Sequence, residues 1–329
     1  FIGPFTGDPA TARPVNILAI VQGSKVRYTM DATNRNEVTL FNSFPVPGPL
    51  MGLNHFRKNE IFSFFDDCDA FWQRRLEKGS YVPFYSATGG LKEFRVVPQG
   101  AMTSPAALHE AKAEQFKNFR EDELTYFFDD SALGTKDDED AHLELVGRFL
   151  DNCEEYGTVL KPTKCHVGLR EGKHQGMVMA HGRIKKDPEA VRAIIEMPLP
   201  KTARELRSQL GIFGRYRDMV PYYAQMATEL ETMVTTRWKP GTFKPRHKEM
   251  IESIRRCIAR ETLLIMPDWN RDMHWWIDAQ PTEGWAGVVG QVDKKGRFWP
   301  LQFFSKKPTE AEKKMFPTEA EAVAWVYCL

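Results

Sequence analysis

Two stretches of the sequence end in the same way. The apolar run IFSFF at 61–65 is followed by Asp66 and Asp67, and the run LTYFF at 124–128 by Asp129 and Asp130. A five-residue apolar run of this kind reads as a strand, so each acid pair closes one. If the two strands pair, Asp66, Asp129 and Asp130 gather at one edge of a sheet. Like charges within a few ångströms raise one another's pKa unless cations compensate them, and carboxylate oxygens with water are what Mg²⁺ prefers. Two such ions about 4 Å apart activate an attacking hydroxyl and stabilise a leaving pyrophosphate in line. Taken singly, an acid pair after a strand reads more simply as a solvated turn. The segments that accompany these two pairs decide against that simpler reading.

The elements that must position the acids are partly visible. Residues 15–21 (VNILAIV), the turn-like Gln22-Gly23-Ser24 and KVRYTM read as a β-hairpin, and the Pro- and Gly-rich FNSFPVPGPLMG at 41–52 as a connecting loop. The chain is acidic over 121–155 and basic over 161–257. In the basic arm, Thr202-x-x-Glu205 is a capping box that opens a helix with Leu206, Leu210 and Phe213 on one face and Arg204, Arg207 and Arg215 elsewhere on its surface. RWKPGTFKP at 237–245 reads as a linker, with a boundary near 235, and strand-like HWWIDA (274–279) and GWAGVVGQV (284–292) follow.

At 329 residues, with 42% hydrophobic and 27% charged residues, the chain has room for two or three domains, each with its own core. No window approaches the roughly 18 uncharged apolar residues of a membrane span, and a net charge of +1 nominates no nucleic-acid partner by itself. Five cysteines without a CxxC pair disfavour a disulfide framework or structural zinc and suit a reducing intracellular setting. The opening Phe1 and the lack of a secretion signal read as a piece cut from something longer.

FSFFDDCDAFWQ (62–73) resembles motif A of retroviral and gypsy-type LTR-retrotransposon reverse transcriptases, and VVPQGAMTSPAALHE (96–110) resembles their motif B. FFDD (127–130) is similar to the YxDD box, LKPTKC (160–165) to the lysine-bearing segment after it, and HQGMVMAHGRI (174–184) to the primer-grip hairpin. PLPKTARELRSQLGIFGRY (198–216) is similar to the opening of the gypsy-type thumb. Order and spacing match throughout.

The resemblance implies a metal-binding triad of Asp66, Asp129 and Asp130 for two Mg²⁺ ions, with Mn²⁺ as a substitute. It implies triphosphate contacts from the backbone of Asp69 and Ala70, and a Phe71 ring that excludes a 2′-OH. Gln99 and Gly100 match the turn under template and incoming nucleotide, and Lys164 matches the general acid for pyrophosphate. KVRYTMDATNRNEVT (25–39) resembles the fingers strand, with Arg27 gripping phosphate. There are departures. The family's basic pair at the hairpin tip is replaced near Val21 and Gln22, and Thr33 stands for an arginine. Both weaken the expected grip on dNTP, whereas Phe127 for the Tyr of the box keeps the ring and both ligands.

WIDAQPTEGWAGVVGQ (276–291) and TEAEAVAWV (318–326) are similar to the start of the RNase H domain, which assigns Asp278 and Glu321 as its first two metal ligands. Thr318-x-x-Glu321 is also a capping box that could exist only to start a helix. The family's remaining carboxylates lie beyond Leu329, so no RNase H activity is expected from this chain.

The expected fold class is therefore α+β. A right-hand polymerase spans 1–235, with fingers near 1–60 and 74–95, a palm with an antiparallel sheet near 61–73 and 96–184, and a helical thumb near 185–235. A connecting segment (236–271) and a truncated RNase H-like α/β domain (272–329) follow. The implied activity is RNA- and DNA-templated DNA polymerisation within a retroelement Pol polyprotein. Its partners are a primer-template duplex and dNTP, with no membrane and with room for a dimer or larger assembly, in cytoplasm, nucleus or virus-like particle. The main rival is a domesticated module that kept the fold as a structural or nucleic-acid-binding scaffold. The intact triad argues against it, since a scaffold has no reason to bear three clustered carboxylates. An RNA-dependent RNA polymerase is disfavoured by Phe71 and the RNase H-like tail.

Overall fold

The computed structural model describes residues 1–22, 25–40, 42–46, 52–87, 89–174, 176–181, 183–235, 243–260 and 264–328, with only the backbone of Gln22, Lys25 and Arg27. The chain forms two compact units, Phe1–Arg170 and Glu171–Leu329. Among the described residues no helix is long and apolar enough to cross a membrane.

In the first unit the expected hairpin is present as β2 (Asn16–Gln22) and β3 (Lys25–Asp31), paired along their full length, and a short helical turn α1 (Thr33–Asn36) follows. Its tip, Gly23 and Ser24, lies outside the described residues, as does much of the 41–52 loop. A small sheet joins β1 (Ile2–Pro4), β6 (Leu91–Phe94) and β5 (Val82–Tyr85). Val15, Met30, Ala32, Val82, Phe84 and Phe94 bury their side chains together there, and the Phe84 and Phe94 rings stack at 4.5 Å.

The second sheet carries the acids. Its order is β7 (Leu124–Phe127), β8 (Asp130–Thr135), β4 (Ile61–Asp66) and β9 (His166–Leu169), all antiparallel. The two apolar runs do not pair with each other, which corrects the expectation. β8 lies between them, and its small residues Ser131, Ala132 and Gly134 carry too little apolar signal to be read as a strand.

Two helices cover this sheet region, α2 (Ser104–Gln115), with Pro105 in its first turn, and α3 (Glu139–Glu155). The Asp138 side chain accepts from the Ala141 N–H at 2.9 Å, and Glu139 and Asp140 in the first turn complement the helix dipole. Phe65, Phe116, Leu124, Leu133, Leu145, Val146 and Phe149 close the core.

The second unit opens with strands β10 (Glu171–His174), β11 (Met177–Ala180), β12 (Arg183–Lys186) and β13 (Leu264–Ile265) in that order. Helices α4 (Pro188–Glu196), α5 (Ala203–Gly214), α6 (Tyr223–Thr235) and α7 (Pro245–Ala259) belong to the same unit. α5 begins where its capping residues predict, with the Glu205 N–H donating to Thr202 Oγ1 at 3.1 Å. The return bond from the Glu205 carboxylate goes to the Lys201 N–H at 2.6 Å. Leu206, Leu210 and Phe213 are buried as expected.

Residues 236–242 of the proposed linker lie outside the described residues. Strands β14 (His274–Gln280), β15 (Gly284–Val292) and β16 (Phe298–Lys306) form an antiparallel sheet, and helix α8 (Pro317–Cys328) packs Ala320 and Ala324 against Trp285. The compact units do not divide at 235. The Ala224 N–H donates to Ser305 Oγ at 3.0 Å and Gln225 donates to the Trp285 carbonyl at 3.3 Å, so α6 is bonded to this sheet.

Candidate active site

Asp66 is the last residue of β4 and Asp130 the first of β8, and the two are direct partners across the ladder. Phe127 pairs with the same Asp130 from the other side, so the β7–β8 turn consists of Phe128 and Asp129 alone. Phe128 takes φ +54, a left-handed conformation that a bulky residue adopts only under restraint. The turn is fastened to the β4 end, because the Asp67 N–H donates to the Asp129 carbonyl at 2.8 Å. The Lys161 N–H donates to the Asp66 carbonyl at the same distance. Backbone bonds thus bring the ends that carry Asp66, Asp129 and Asp130 together.

The electrostatics follow from that crowding. Asp129 is exposed, whereas Asp66 and Asp130 are half-buried. Burial, followed by repulsion from Asp129 and Asp66, pushes the Asp130 carboxyl up to about 6, with Lys164 pulling the other way. Lys164 sits in the helical turn Pro162–Lys164, its ammonium 2.6 Å from Asp66 Oδ2, and this bond holds it above the usual lysine range. Among the described residues no group of three or more His, Cys, Asp and Glu side chains is drawn close enough to hold a metal ion as it stands. The donor set nonetheless fits a divalent cation. It is all oxygen, it includes a carboxyl raised by like charge, and a lysine ammonium already supplies positive charge at Asp66.

The loop after β4 is held by a residue that motif reading did not single out. Gln73 donates to the carbonyls of Cys68 and Val159, the latter at 2.9 Å, and accepts from the Val159 N–H at 2.8 Å. Asp69 is exposed at φ +50 and opens the helical turn Ala70–Gln73. Ala70 is buried and Phe71 half-buried, and Trp72 packs on Phe94 with centroids 5.3 Å apart.

The Gln99–Gly100 turn is tied to β3. The Gln99 carbonyl accepts from the Met30 N–H and from Thr29 Oγ1, both at 3.1 Å. Gly100 has φ +112, and a Cβ there would collide with the Met30 carbonyl oxygen, so the close approach requires glycine. The backbone of Arg27 lies on β3 opposite Ile20, while its side chain is outside the described residues. Thr33 Oγ1 donates to Asp31 Oδ1 at 2.6 Å, closing a local turn.

In the second unit Asp278 lies on β14 and lines a cavity of about 180 Å³ with Pro221, Tyr222, Trp276 and Phe303. Its strand neighbours Ile277 and Ala279 point to the other face and pack with Trp285, Ala320 and Ala324. Glu321 is exposed on α8, a helix that packs against the Asp278 strand, and does not line that cavity. The capping reading of Thr318 and Glu321 also fails. α8 starts at Pro317, and Glu319 accepts from the Phe316 N–H at 2.9 Å.

Residues 22–189, just over half of the chain, match the family model for reverse transcriptase (RNA-dependent DNA polymerase). Residues 243–329 match that for an RNase H-like domain found in reverse transcriptase, which begins ahead of the boundary expected near 272. The chain is 24% identical over 305 residues to the retrovirus-related Pol polyprotein from transposon 297 of Drosophila melanogaster, covering 92% of this chain and 28% of that protein. It is 22% identical over 321 residues to the transposon Tf2-3 polyprotein of Schizosaccharomyces pombe, covering 97% and 24%. It thus spans about a quarter of the length of these curated relatives. Among solved structures, the foamy viral protease-reverse transcriptase in complex with RNA/DNA hybrid superposes with a TM-score of 0.78 at 20% identity, covering 96% of this chain and 42% of that one. The same viral protein with double-stranded DNA, in a form designated dRH, gives 0.75 at 20% identity over 99% and 56%. These likenesses establish the right-hand fold, and since the matched region contains the acid-bearing sheet, the Gln99–Gly100 turn and the Lys164 segment, the chain belongs to the reverse transcriptase family.

Proposed function

We propose that this chain is the polymerising part of a retroelement Pol polyprotein, adding dNTPs to a primer 3′-OH on an RNA or DNA template. The observation that carries this reading is the direct pairing of Asp66 with Asp130, with Asp129 at the adjoining turn and Lys164 bonded to Asp66. Asp66, Asp129 and Asp130 would hold two divalent cations, Mg²⁺ or Mn²⁺, which when bound supply Lewis-acid activation and neutralise pyrophosphate charge. The residues of the chain do the rest. Lys164, exposed and protonated, is placed to give a proton to the departing pyrophosphate. The Phe71 ring, seated beside the Asp69–Ala70 backbone, meets the sugar where a 2′-OH would project, and the Gln99–Gly100 turn supports template and nucleotide.

A primer-template duplex is the partner the fold suits, since the foamy viral structures of like fold are complexes with RNA/DNA hybrid and double-stranded DNA. Basic residues of α5 would meet its phosphates without reading sequence. The test is dNTP incorporation on paired RNA and DNA templates with a DNA primer. Incorporation on both supports the reading, and binding without incorporation on either contradicts it.

A further inference from the structure

Helix α2 buries two polar side chains one turn apart, His109 at 1% exposure and Lys112 at 0%. Each reaches one of the two strand ends that carry the acids. His109 Nε2 accepts from the Phe128 N–H at 3.4 Å, and its ring meets Phe127 and Phe128 edge-on at 5.7 and 4.9 Å and lies tilted against Tyr126 at 5.6 Å. That acceptor role requires a neutral imidazole with its proton on Nδ1. Burial and the Lys112 ammonium both hold the ring below the usual histidine range. Lys112 Nζ lies 2.6 Å from Asp67 Oδ2, with both side chains buried, and the Asp67 N–H is bonded to the Asp129 carbonyl. A buried ion pair of this kind contributes little net stability compared with an apolar pair of equal volume, because desolvation offsets the attraction. Its location between the two acid-bearing ends suits a geometric role.

We propose that His109 and Lys112 are positioning residues, a two-point clamp through which α2 holds the Phe128–Asp129 turn and the Asp66–Asp67 strand end in register for polymerisation. The inference rests on the polymerase reading above for its consequence and on the packing for its geometry.

The experiment uses the full chain and the variants His109→Leu, His109→Gln, Lys112→Met and Asp67→Leu/Lys112→Met. It measures kcat, KM for primer-template, the thermal midpoint, and Mn²⁺ binding to metal-stripped protein by electron paramagnetic resonance. His109→Leu and Lys112→Met should lower kcat by about tenfold or more and weaken Mn²⁺ binding, with KM for primer-template within about twofold, as expected when reacting groups shift by a fraction of an ångström. His109→Gln keeps an acceptor and should recover most of the loss. The double variant removes both members of the buried pair and leaves Arg74 bonded to Gln115, so it should fold even if Lys112→Met does not, regaining the thermal midpoint without regaining kcat or Mn²⁺ affinity. Wild-type kcat and Mn²⁺ binding in His109→Leu, or in the double variant, would overturn the clamp. If the wild-type chain adds no nucleotide, the polymerase reading fails, and the Mn²⁺ comparison still decides whether α2 positions the acids.

Discussion

Asp66 and Asp130 are direct partners across the β4–β8 ladder, and a lysine ammonium rather than a second strand contact neutralises Asp66, with Lys164 Nζ 2.6 Å away. This pairing places two half-buried carboxylates side by side, an arrangement that costs folding energy and has no packing purpose.

Replacement of Asp130 with Asn should therefore separate stability from activity. The Asp130 carboxyl is pushed up to about 6 by burial and by Asp129 and Asp66, so the carboxylate that predominates at neutral pH is less stable in the folded chain than in the unfolded one. Metal-free Asp130→Asn should melt at a higher temperature than wild type at pH 7.5, while nucleotide addition falls by at least about a hundredfold, in the range for loss of one preorganised charge-stabilising group. Calorimetry and primer extension on the same preparation check both halves. A lower midpoint would contradict the electrostatic account.

Sugar selection should depend on Phe71. The ring is half-buried next to Trp72, which is anchored on Phe94. Phe71→Ala removes the ring without disturbing that anchor, so rNTP incorporation relative to dNTP should rise by an order of magnitude or more while primer-template affinity stays constant. Unchanged discrimination in competition assays would remove Phe71 from the sugar site.

Gly100→Ala tests the close approach of the two segments. At φ +112, with the Met30 carbonyl in the path of a Cβ, an alanine must move the turn or strain it, at a cost of about 1–3 kcal/mol. The thermal midpoint should fall and KM for dNTP should rise, because Gln99 shifts with its neighbour. A variant as stable as wild type would contradict the close contact between Gly100 and the Met30 carbonyl.

The second unit should lose stability in acid through His174. Burial pushes this imidazole down to about 4, whereas in the unfolded chain it titrates near 6.5. Between those values the unfolded state binds the proton and the folded state does not, so stability falls as pH drops from about 6.5 to 4, by about 3 kcal/mol in all. Denaturant midpoints at pH 7 and 4.5 should show the loss, and His174→Gln should flatten it. An unchanged slope in the variant would assign the acid sensitivity to other groups.

The acid-bearing strand ends were legible in the sequence because apolar runs bounded by paired aspartates leave a local signal, and so was the Thr202 cap of α5. The strand between them was not, since Asp130–Thr135 is built of small residues and its pairing with Ile61–Asp66 joins segments about 70 positions apart. His109 lies in the motif B segment 96–110 and Lys112 just after it, yet only tertiary packing brings them against Phe128 and Asp67. The Thr318 pattern misled because a proline at 317 lets the helix start two residues earlier, with Glu319 as the acid that reaches back.

The most direct test of the central claim is primer extension by the purified chain on poly-rA and DNA templates with dNTPs and Mg²⁺ or Mn²⁺, beside Asp129→Asn/Asp130→Asn. Extension on both templates by the wild-type chain, abolished in the double variant while its fold and primer-template binding persist, is the expected result. A folded wild-type chain that binds primer-template and adds no nucleotide with either metal, or a double variant that extends as well as wild type, would contradict it.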